Sequence, residues 1–149
     1  MNIYVASSWR NPDQPGIVER LRSWGHEVYD FRNPTGLDHG FAWSKIDPDW
    51  KNWSVERFRS ALQHGIAVGG FELDHTAMQR ADACVLVLPC GRSAHLEAGW
   101  FCGQDKRVFA VIGRAIEPEL MYALFDTIVE TVEELRPLLA AAPAAGMAS

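Results

Sequence analysis

The chain has 149 residues, of which 48% are hydrophobic and 22% charged, and its formal net charge is −5. This length fits one domain, which would bury about 70% of the surface of the unfolded chain. The negative charge argues against a nucleic-acid polymer as partner, because no basic face would release counterions from a phosphate backbone. No apolar run is long enough to span a bilayer, so no membrane partner is expected.

The cysteines indicate the compartment. Cys84, Cys90 and Cys102 are odd in number and lack the spacing of a metal site, so they are interpreted as reduced thiols of a cytoplasmic protein. The chain begins directly with a strand pattern, and no secretory signal is therefore expected.

The first predicted unit is a strand, a helix and a strand. Residues 2–6 read as a buried strand, and Asp13 is expected to cap a helix that runs to about Trp24. Gly25 ends that helix, and residues 26–31 form the second strand. The crossover between the two strands should be right-handed.

Residues 32–53 interrupt this alternation with a long segment rich in Gly, Pro, Asp and aromatic residues. Long loops in compact domains are usually functional or disordered, and disordered segments are poor in aromatic residues. A lid or pocket wall is therefore favoured over rings that merely pack on the core from outside. The aromatic residues concerned are Phe41, Trp43, Trp50 and Trp53.

Two helices are predicted next. Ser54 is expected to cap one that runs to about Gln63, and the other spans residues 68–80. The side chains expected to face the sheet are Phe71, Met78 and Ala81.

The remaining pattern alternates strands and helices, which predicts a doubly wound α/β fold. We expect a mostly parallel five-stranded sheet with helices on both faces, flavodoxin-like or Rossmann-like, formed by residues 1–140 as a single domain. Residues 141–149 are expected to be a disordered tail. The predicted elements are strands at 84–88, 107–112 and 127–129, and helices at 94–103, 121–125 and 131–139.

Glu97 is the leading candidate for chemistry. It lies in the helix that follows the apolar strand 84–88, and ligands of open α/β sheets bind at the carboxyl ends of the strands. The pattern alone leaves open whether Glu97 faces this crevice or solvent.

Asp74 is the second candidate carboxylate. In a crevice with Glu97 it would complete the pair of carboxyl groups that cleaves glycosidic bonds. A solvated helix charge is the alternative interpretation.

The turn Gly91-Arg92-Ser93 opens the helix of Glu97 and combines free N–H groups, a hydroxyl and a guanidinium, which together favour an anion. Ser93 as a simple helix cap is equally compatible with the sequence, and Arg10 is expected at the same edge of the crevice. The motifs for NTPase, dinucleotide and zinc-hydrolase chemistry are missing from the sequence, so those classes lose their usual support.

Four segments in this order resemble the nucleoside 2-deoxyribosyltransferase family and the related deoxynucleoside 5′-monophosphate N-glycosidases. They are Ile3-Tyr4-Val5-Ala6 followed by Trp9, Asp74 eight positions before Asp82, Glu97 followed by Ala98-Gly99-Trp100, and Glu119-Leu120-Met121.

The resemblance implies a double displacement at the sugar C1′, with Glu97 as nucleophile and no metal or organic cofactor. It implies that Tyr4 holds Glu97, that Trp9 lines the base pocket and that Asp74 assists the departure of the base or anchors the sugar. The segment at Glu119 would reach the site of a neighbouring subunit, and so a homo-oligomer with shared sites is expected.

Two positions depart from the family pattern. Gly91 stands where the transferases have an Asp that contacts the base, and Glu119 stands where they present an Asn to the sugar 5′-hydroxyl. The reaction therefore stays open between deoxyribosyl transfer and hydrolysis of a deoxynucleoside monophosphate, with a non-catalytic nucleotide sensor as a third alternative. The predicted catalytic residues are Glu97, Asp74 and Tyr4, and the predicted substrate-binding residues are Ser7, Trp9, Arg10, Trp43, Gly91, Arg92, Ser93, Glu119 and Met121.

Overall fold

The computed structural model describes residues 1–34, 40–114 and 118–140, so the predicted tail at 141–149 lies outside the described residues. The chain divides into two compact units. The first unit consists of Met1–Tyr29 and the chain from Ala81 onward, and the second unit is Asp30–Arg80. Along the described ranges, no helix is both long and apolar enough to cross a membrane.

Five strands form one parallel sheet in the order β2-β1-β3-β4-β5. The predicted doubly wound α/β fold is thereby confirmed. Every residue of β3 is buried, as expected for a central strand that helices cover on both faces. The strands are β1 (Asn2–Ala6), β2 (Glu27–Asp30), β3 (Ala83–Val87), β4 (Arg107–Val111) and β5 (Thr127–Val129).

Helices alternate with these strands along the chain. The α-helices are α1 (Gln14–Ser23), α2 (Val55–Ala61), α3 (Gly65–Arg80), α4 (Arg92–Gly103) and α5 (Leu135–Ala140). Short 3₁₀ helices occur at Trp43–Lys45, Trp50–Asn52, Leu120–Leu124 and Val132–Glu134.

The sheet of the first unit is covered differently on its two faces. One face packs against apolar residues of α1 and α5 and forms the main hydrophobic core. The other face carries Tyr4 and Cys84, which are register partners on β1 and β3. Helix α4 covers this second face, because the ring of its Phe101 lies 5.7 Å from the ring of Tyr4.

The ends of the helices test several predictions. Gly25 follows α1 with φ of 88°, a conformation that glycine adopts without strain, and Ser54 caps α2 by accepting from the Arg57 N–H at 3.1 Å. Asp13 occupies the N-cap position of α1 as expected, but its side chain makes no capping hydrogen bond. A proline in the first turn starts this helix instead.

Helix α3 begins three residues earlier than expected, at Gly65, and continues through Gly69 and Gly70. Met78 and Ala81 are buried as expected, but Phe71 is 66% exposed, and the prediction that it faces the sheet is wrong. Phe71 stacks instead on His75, one turn further along the same helix, with ring centroids 5.2 Å apart.

Candidate active site

The sheet order places a crevice at the carboxyl ends of β1 and β3. Strand β1 lies between β2 and β3, so the chain winds away from it in opposite directions. This reversal is the position at which open parallel sheets bind their ligands. Ser7 follows β1, and the turn from Leu88 to Gly91 follows β3, so both segments border the crevice.

A buried hydrogen-bond network joins these two segments. The Ser7 hydroxyl donates to the Val87 carbonyl at 2.8 Å. The Asn11 side-chain amide donates to Ser7 Oγ at 3.1 Å and to the same Val87 carbonyl at 3.3 Å. Asn11 is fully buried, and its Oδ1 accepts from the Asp13 N–H at 2.9 Å. The loop after β1 is thus tied to the last residue of β3.

Helix α4 begins directly beyond this network. The Leu88–Pro89 peptide bond is cis, and Gly91 occupies the N-cap position without a side-chain capping bond. Arg92 is the first helical residue and is exposed. Ser93 lies inside the helix, where its hydroxyl donates to Glu97 Oε1 at 3.0 Å. Ser93 is therefore not the helix cap, and its hydroxyl orients the candidate nucleophile.

Glu97 lies on the face of α4 that covers the sheet. The buried residues of this helix are Ala94, Ala98 and Phe101, and Glu97 completes their helical stripe. Glu97 is half-buried, whereas Leu96 next to it is 76% exposed. The sequence left open whether Glu97 faces solvent; in the structure, it is Leu96 that lies on the solvent-exposed face of α4.

The charge of Glu97 acts on the cysteines of β3 and its turn. Burial, followed by the negative charge of Glu97, raises the pKa of the Cys90 thiol to about 11. The same two causes raise the pKa of the fully buried Cys84. Both thiols are protonated at neutral pH and are poor nucleophiles.

Tyr4 is fully buried beneath α4. Its ring stacks on Tyr29 at 5.3 Å and lies against Phe101 at 5.7 Å. Tyr4 is therefore on the sheet face that α4 covers, and its role in holding Glu97 stays a prediction.

A second network joins the turn after β3 to the 3₁₀ helix Leu120–Leu124. His95 Nδ1 lies 2.9 Å from the Gly91 carbonyl, and His95 Nε2 lies 2.8 Å from the Tyr122 hydroxyl. The carbonyl can only accept, so His95 Nδ1 donates to it. Burial, followed by the charges of Cys90 and Glu119, raises the pKa of Tyr122, which keeps its hydroxyl a donor.

Glu119 and Met121 start this 3₁₀ helix. The Glu119 carboxylate accepts from the Met121 N–H at 3.2 Å and caps the helix. The Met121 side chain is 58% exposed, and Leu120 and Leu124 are 84% and 58% exposed. This run presents an apolar surface.

Trp9 and Arg10 belong to the loop after β1. Trp9 is 48% exposed, and Arg10 is exposed while its backbone N–H donates to Ser8 Oγ at 3.2 Å. Both follow Ser7 directly, at the edge where β1 ends.

The second unit contains the remaining predicted site residues, Trp43 and Asp74. Trp43 is half-buried and makes edge-on ring contacts with Phe41 at 4.7 Å, Trp53 at 5.5 Å and Phe58 at 5.7 Å. We call these four residues the aromatic cluster. Asp74 is half-buried in the middle of α3.

The aromatic cluster is held by a charged group. The Trp53 indole N–H donates to Asp47 at 2.7 Å, and the Arg57 guanidinium lies 3.7 Å from the same carboxylate. The Trp53 hydrogen bond is the main cause that lowers the pKa of Asp47. The tryptophan-rich segment is thus ordered around its own small core.

Sequence reasoning missed Asn11, His95 and Tyr122. Asn11 precedes a proline and reads as an ordinary turn residue, while one of its acceptors, the Val87 carbonyl, lies 76 positions away. The His95 partner is 27 positions away. The sequence offered one indication of this second network, namely a histidine in the first turn of the helix that carries Glu97.

No protein-family model matches the chain, and no curated protein matches it significantly. Solved structures, in contrast, match the chain over most of its length. A 2-deoxyribosyltransferase of the psychrotolerant bacterium Bacillus psychrosaccharolyticus is 19% identical with a TM-score of 0.57, over 90% of this chain and 89% of that one. The CMP N-glycosidase BcmB of Clostridium botulinum is 14% identical with a TM-score of 0.50, over 95% of this chain and 100% of that one. The chain therefore has the fold that these two enzymes share, as the resemblance in its sequence led us to expect.

Proposed function

We propose that this protein breaks the N-glycosidic bond of a 2-deoxynucleoside and transfers the sugar to a second nucleobase through a covalent bond to Glu97. The observation that carries the proposal is the position of Glu97, half-buried on the sheet-facing stripe of α4 and hydrogen-bonded by Ser93. The fold of the protein is shared with a 2-deoxyribosyltransferase and a CMP N-glycosidase, which supports this class of reaction.

In the first step, a carboxylate oxygen of Glu97 bonds to the sugar C1′ while the C1′–N bond breaks and its electron pair leaves with the base. The transition state resembles an oxocarbenium ion, and a sugar without a 2′-hydroxyl reaches it more easily. Asp74 is proposed to protonate the departing base or to anchor the sugar. A positioned acid contributes a factor of about 10² to 10⁴ to the rate.

In the second step, a ring nitrogen of the incoming base attacks C1′ from the face that the first base left, and the bond to Glu97 breaks with its electron pair returning to the carboxylate. The N–H proton of the incoming base replaces the one that the departing base took up, and Asp74 is the group proposed to carry it. Two inversions restore the original configuration. Water in place of the second base gives hydrolysis. The hydroxyl of Ser93 holds Glu97 in one orientation through both steps, and Tyr4 is proposed to support it from below.

We further propose a homo-oligomer in the cytoplasm. The exposed apolar side chains of Leu120, Met121 and Leu124 offer a surface that a second copy could cover. All three cysteines are free, which is compatible with a reducing compartment.

Hydrolysis of a deoxynucleoside 5′-monophosphate is the second candidate. The observation in its favour is the start of α4, where Gly91 provides no side-chain cap and the first residue is the exposed Arg92. Uncapped N–H groups beside a guanidinium can bind a phosphate.

A product assay tests the proposal. Purified protein is incubated with each deoxynucleoside and each deoxynucleoside monophosphate, with and without a second base. A new nucleoside identifies a transferase, free sugar or sugar phosphate identifies a hydrolase, and binding without product identifies a sensor.

The matched variants are Glu97→Gln and, as control, Glu19→Gln on the exposed face of α1. The control should be as active as the wild type. Glu97→Gln should lose several orders of magnitude in turnover, and a variant that kept more than about a tenth, a loss under ~1.4 kcal/mol, would disprove covalent catalysis by Glu97.

A further inference from the structure

Two adjacent glycines in α3 have different surroundings. A Cβ atom on Gly70 would lie 3.0 Å from Phe41 Cβ and 3.1 Å from its Cγ and Cδ2. A Cβ atom on Gly69 would meet nothing within 4 Å. Gly70 therefore allows Phe41 to approach the helix more closely than any other residue would, whereas Gly69 has no such function.

Phe41 brings the whole aromatic cluster to this point on α3. Its ring touches Trp43, which in turn contacts Trp53 and Phe58. The cluster is not closed off from solvent, because Phe41, Trp43 and Trp53 are half-buried and Phe58 is 45% exposed. Ring surface remains available to a planar ligand.

Asp74 lies one helical turn after Gly70, on the same face of α3. Asp74 is half-buried, and its place in the helix puts it next to the turn on which Phe41 rests. Gly70 thus sets how closely the aromatic cluster approaches the face of α3 that carries Asp74.

We propose that Gly70 is a positioning residue, and that the aromatic cluster and Asp74 together bind the nucleobase of the substrate. The inference rests on the proposed function for the identity of that ligand. An aromatic ring provides a stacking surface for any base, and a carboxylate accepts a hydrogen bond from a base N–H or, when protonated, donates to a ring nitrogen. Both groups belong to the second unit.

The test compares Gly70→Ala with Gly69→Ala. Both changes add one methyl group inside the same helix and gain the same helix propensity, so they differ in the contact with Phe41. Gly69→Ala should leave the kinetics unchanged. Gly70→Ala should raise the KM for the deoxynucleoside at least about fivefold, as expected for a weakened stacking contact, and leave kcat within about twofold.

A second measurement does not require turnover. Each of the four free DNA bases is titrated against the protein while tryptophan emission is followed. At least one base should quench the wild type and Gly69→Ala, and Gly70→Ala should need a concentration at least about fivefold higher for the same quench. Phe41→Leu, which alters the ring without touching α3, should weaken the quench likewise if Gly70→Ala fails to fold.

The outcomes separate this inference from the proposed function. An active wild type with equal KM values for the two alanine variants would refute the positioning role of Gly70. A wild type that turns over no nucleoside would refute the proposed function alone, and the base titration would then decide on the aromatic cluster. No quench of the wild type by any base would refute the base-binding surface.

Discussion

Replacing Asn11 by alanine should destabilise the first unit more than the replacement of an exposed residue. Asn11 is fully buried, and three of its hydrogen bonds are to Ser7, to the Val87 carbonyl and from the Asp13 N–H. Alanine removes all three bonds and leaves part of the side-chain volume empty.

The magnitude follows from what each partner retains. A hydrogen bond contributes a net ~0.5–1.5 kcal/mol, and a buried group left without any partner costs more. The Val87 carbonyl still accepts from the Ser7 hydroxyl at 2.8 Å, and Asp13 is exposed enough for its N–H to reach water. These partners each keep another hydrogen-bond partner or reach water, so we expect the unfolding free energy to fall by about 2–3 kcal/mol.

Urea unfolding followed by circular dichroism measures this change, with thermal unfolding as a second readout. For a chain of this size, Tm should fall by about 4–12 °C. The control is Asn52→Ala, which also removes a side-chain hydrogen bond, from Asn52 to Asp49, but at an exposed position. It should change stability by less than about 0.5 kcal/mol. Equal effects of the two substitutions would refute the argument that the Asn11 network stabilises the crevice.

Four further predictions follow from the described geometry. If the second candidate reaction is right, Arg92→Ala should lower kcat/KM for a deoxynucleoside monophosphate about ten- to a hundredfold and leave kcat/KM for the free nucleoside unchanged. An equal effect on both substrates would mean that the turn before α4 does not bind the phosphate. In Glu97→Gln the pKa of Cys90 should fall from about 11, because the neighbouring negative charge is gone. Iodoacetamide should then label Cys90 faster at pH 8, as measured by peptide mass spectrometry. An unchanged labelling rate would contradict the placement of Glu97 beside Cys90. The pKa of Asp47 is lowered, so its contribution to stability is present above pH 3.8, its ordinary pKa, and is lost as the pH falls further. Asp47→Asn should therefore reduce the change in tryptophan emission that the wild type shows at acid pH. An unchanged acid transition would exclude Asp47 as its cause. Light scattering at micromolar concentration should show a particle of at least twice 16.7 kDa, and a monomer would exclude shared active sites.

The sheet was predictable from the sequence because its strands are short apolar runs between turn residues. Strands β3, β4 and β5 lie within one residue of their predicted ends. Such runs need burial on both faces, and this requirement holds wherever the rest of the chain goes. Local patterns therefore determined this part of the fold.

The errors arose where a distant contact decides the local structure. Helix α3 was expected to start at residue 68, but it starts at Gly65. The glycine pair inside it has low helix propensity, and the close approach of Phe41 accounts for the glycine at position 70. Ser93 has the residue type of a cap, but Gly91 takes the cap position and leaves the Ser93 hydroxyl to Glu97. Phe71 was assigned to the buried face by its hydrophobicity alone, although apolar side chains also occupy exposed helix positions.

The pairing of β1 with β3 has a consequence for biosynthesis. Val5 is the register partner of Val85, and Ser7 bonds to a carbonyl 80 positions further along the chain. At a synthesis rate of about 5–20 residues per second, roughly 4–16 s pass between the synthesis of β1 and that of β3. During this time β1 can pair only with β2, and its edge toward β3 stays unpaired. A nascent strand of this apolarity with an unpaired edge is open to association with other chains. The step that completes the central sheet is therefore also the step at which the newly made chain most needs protection from aggregation.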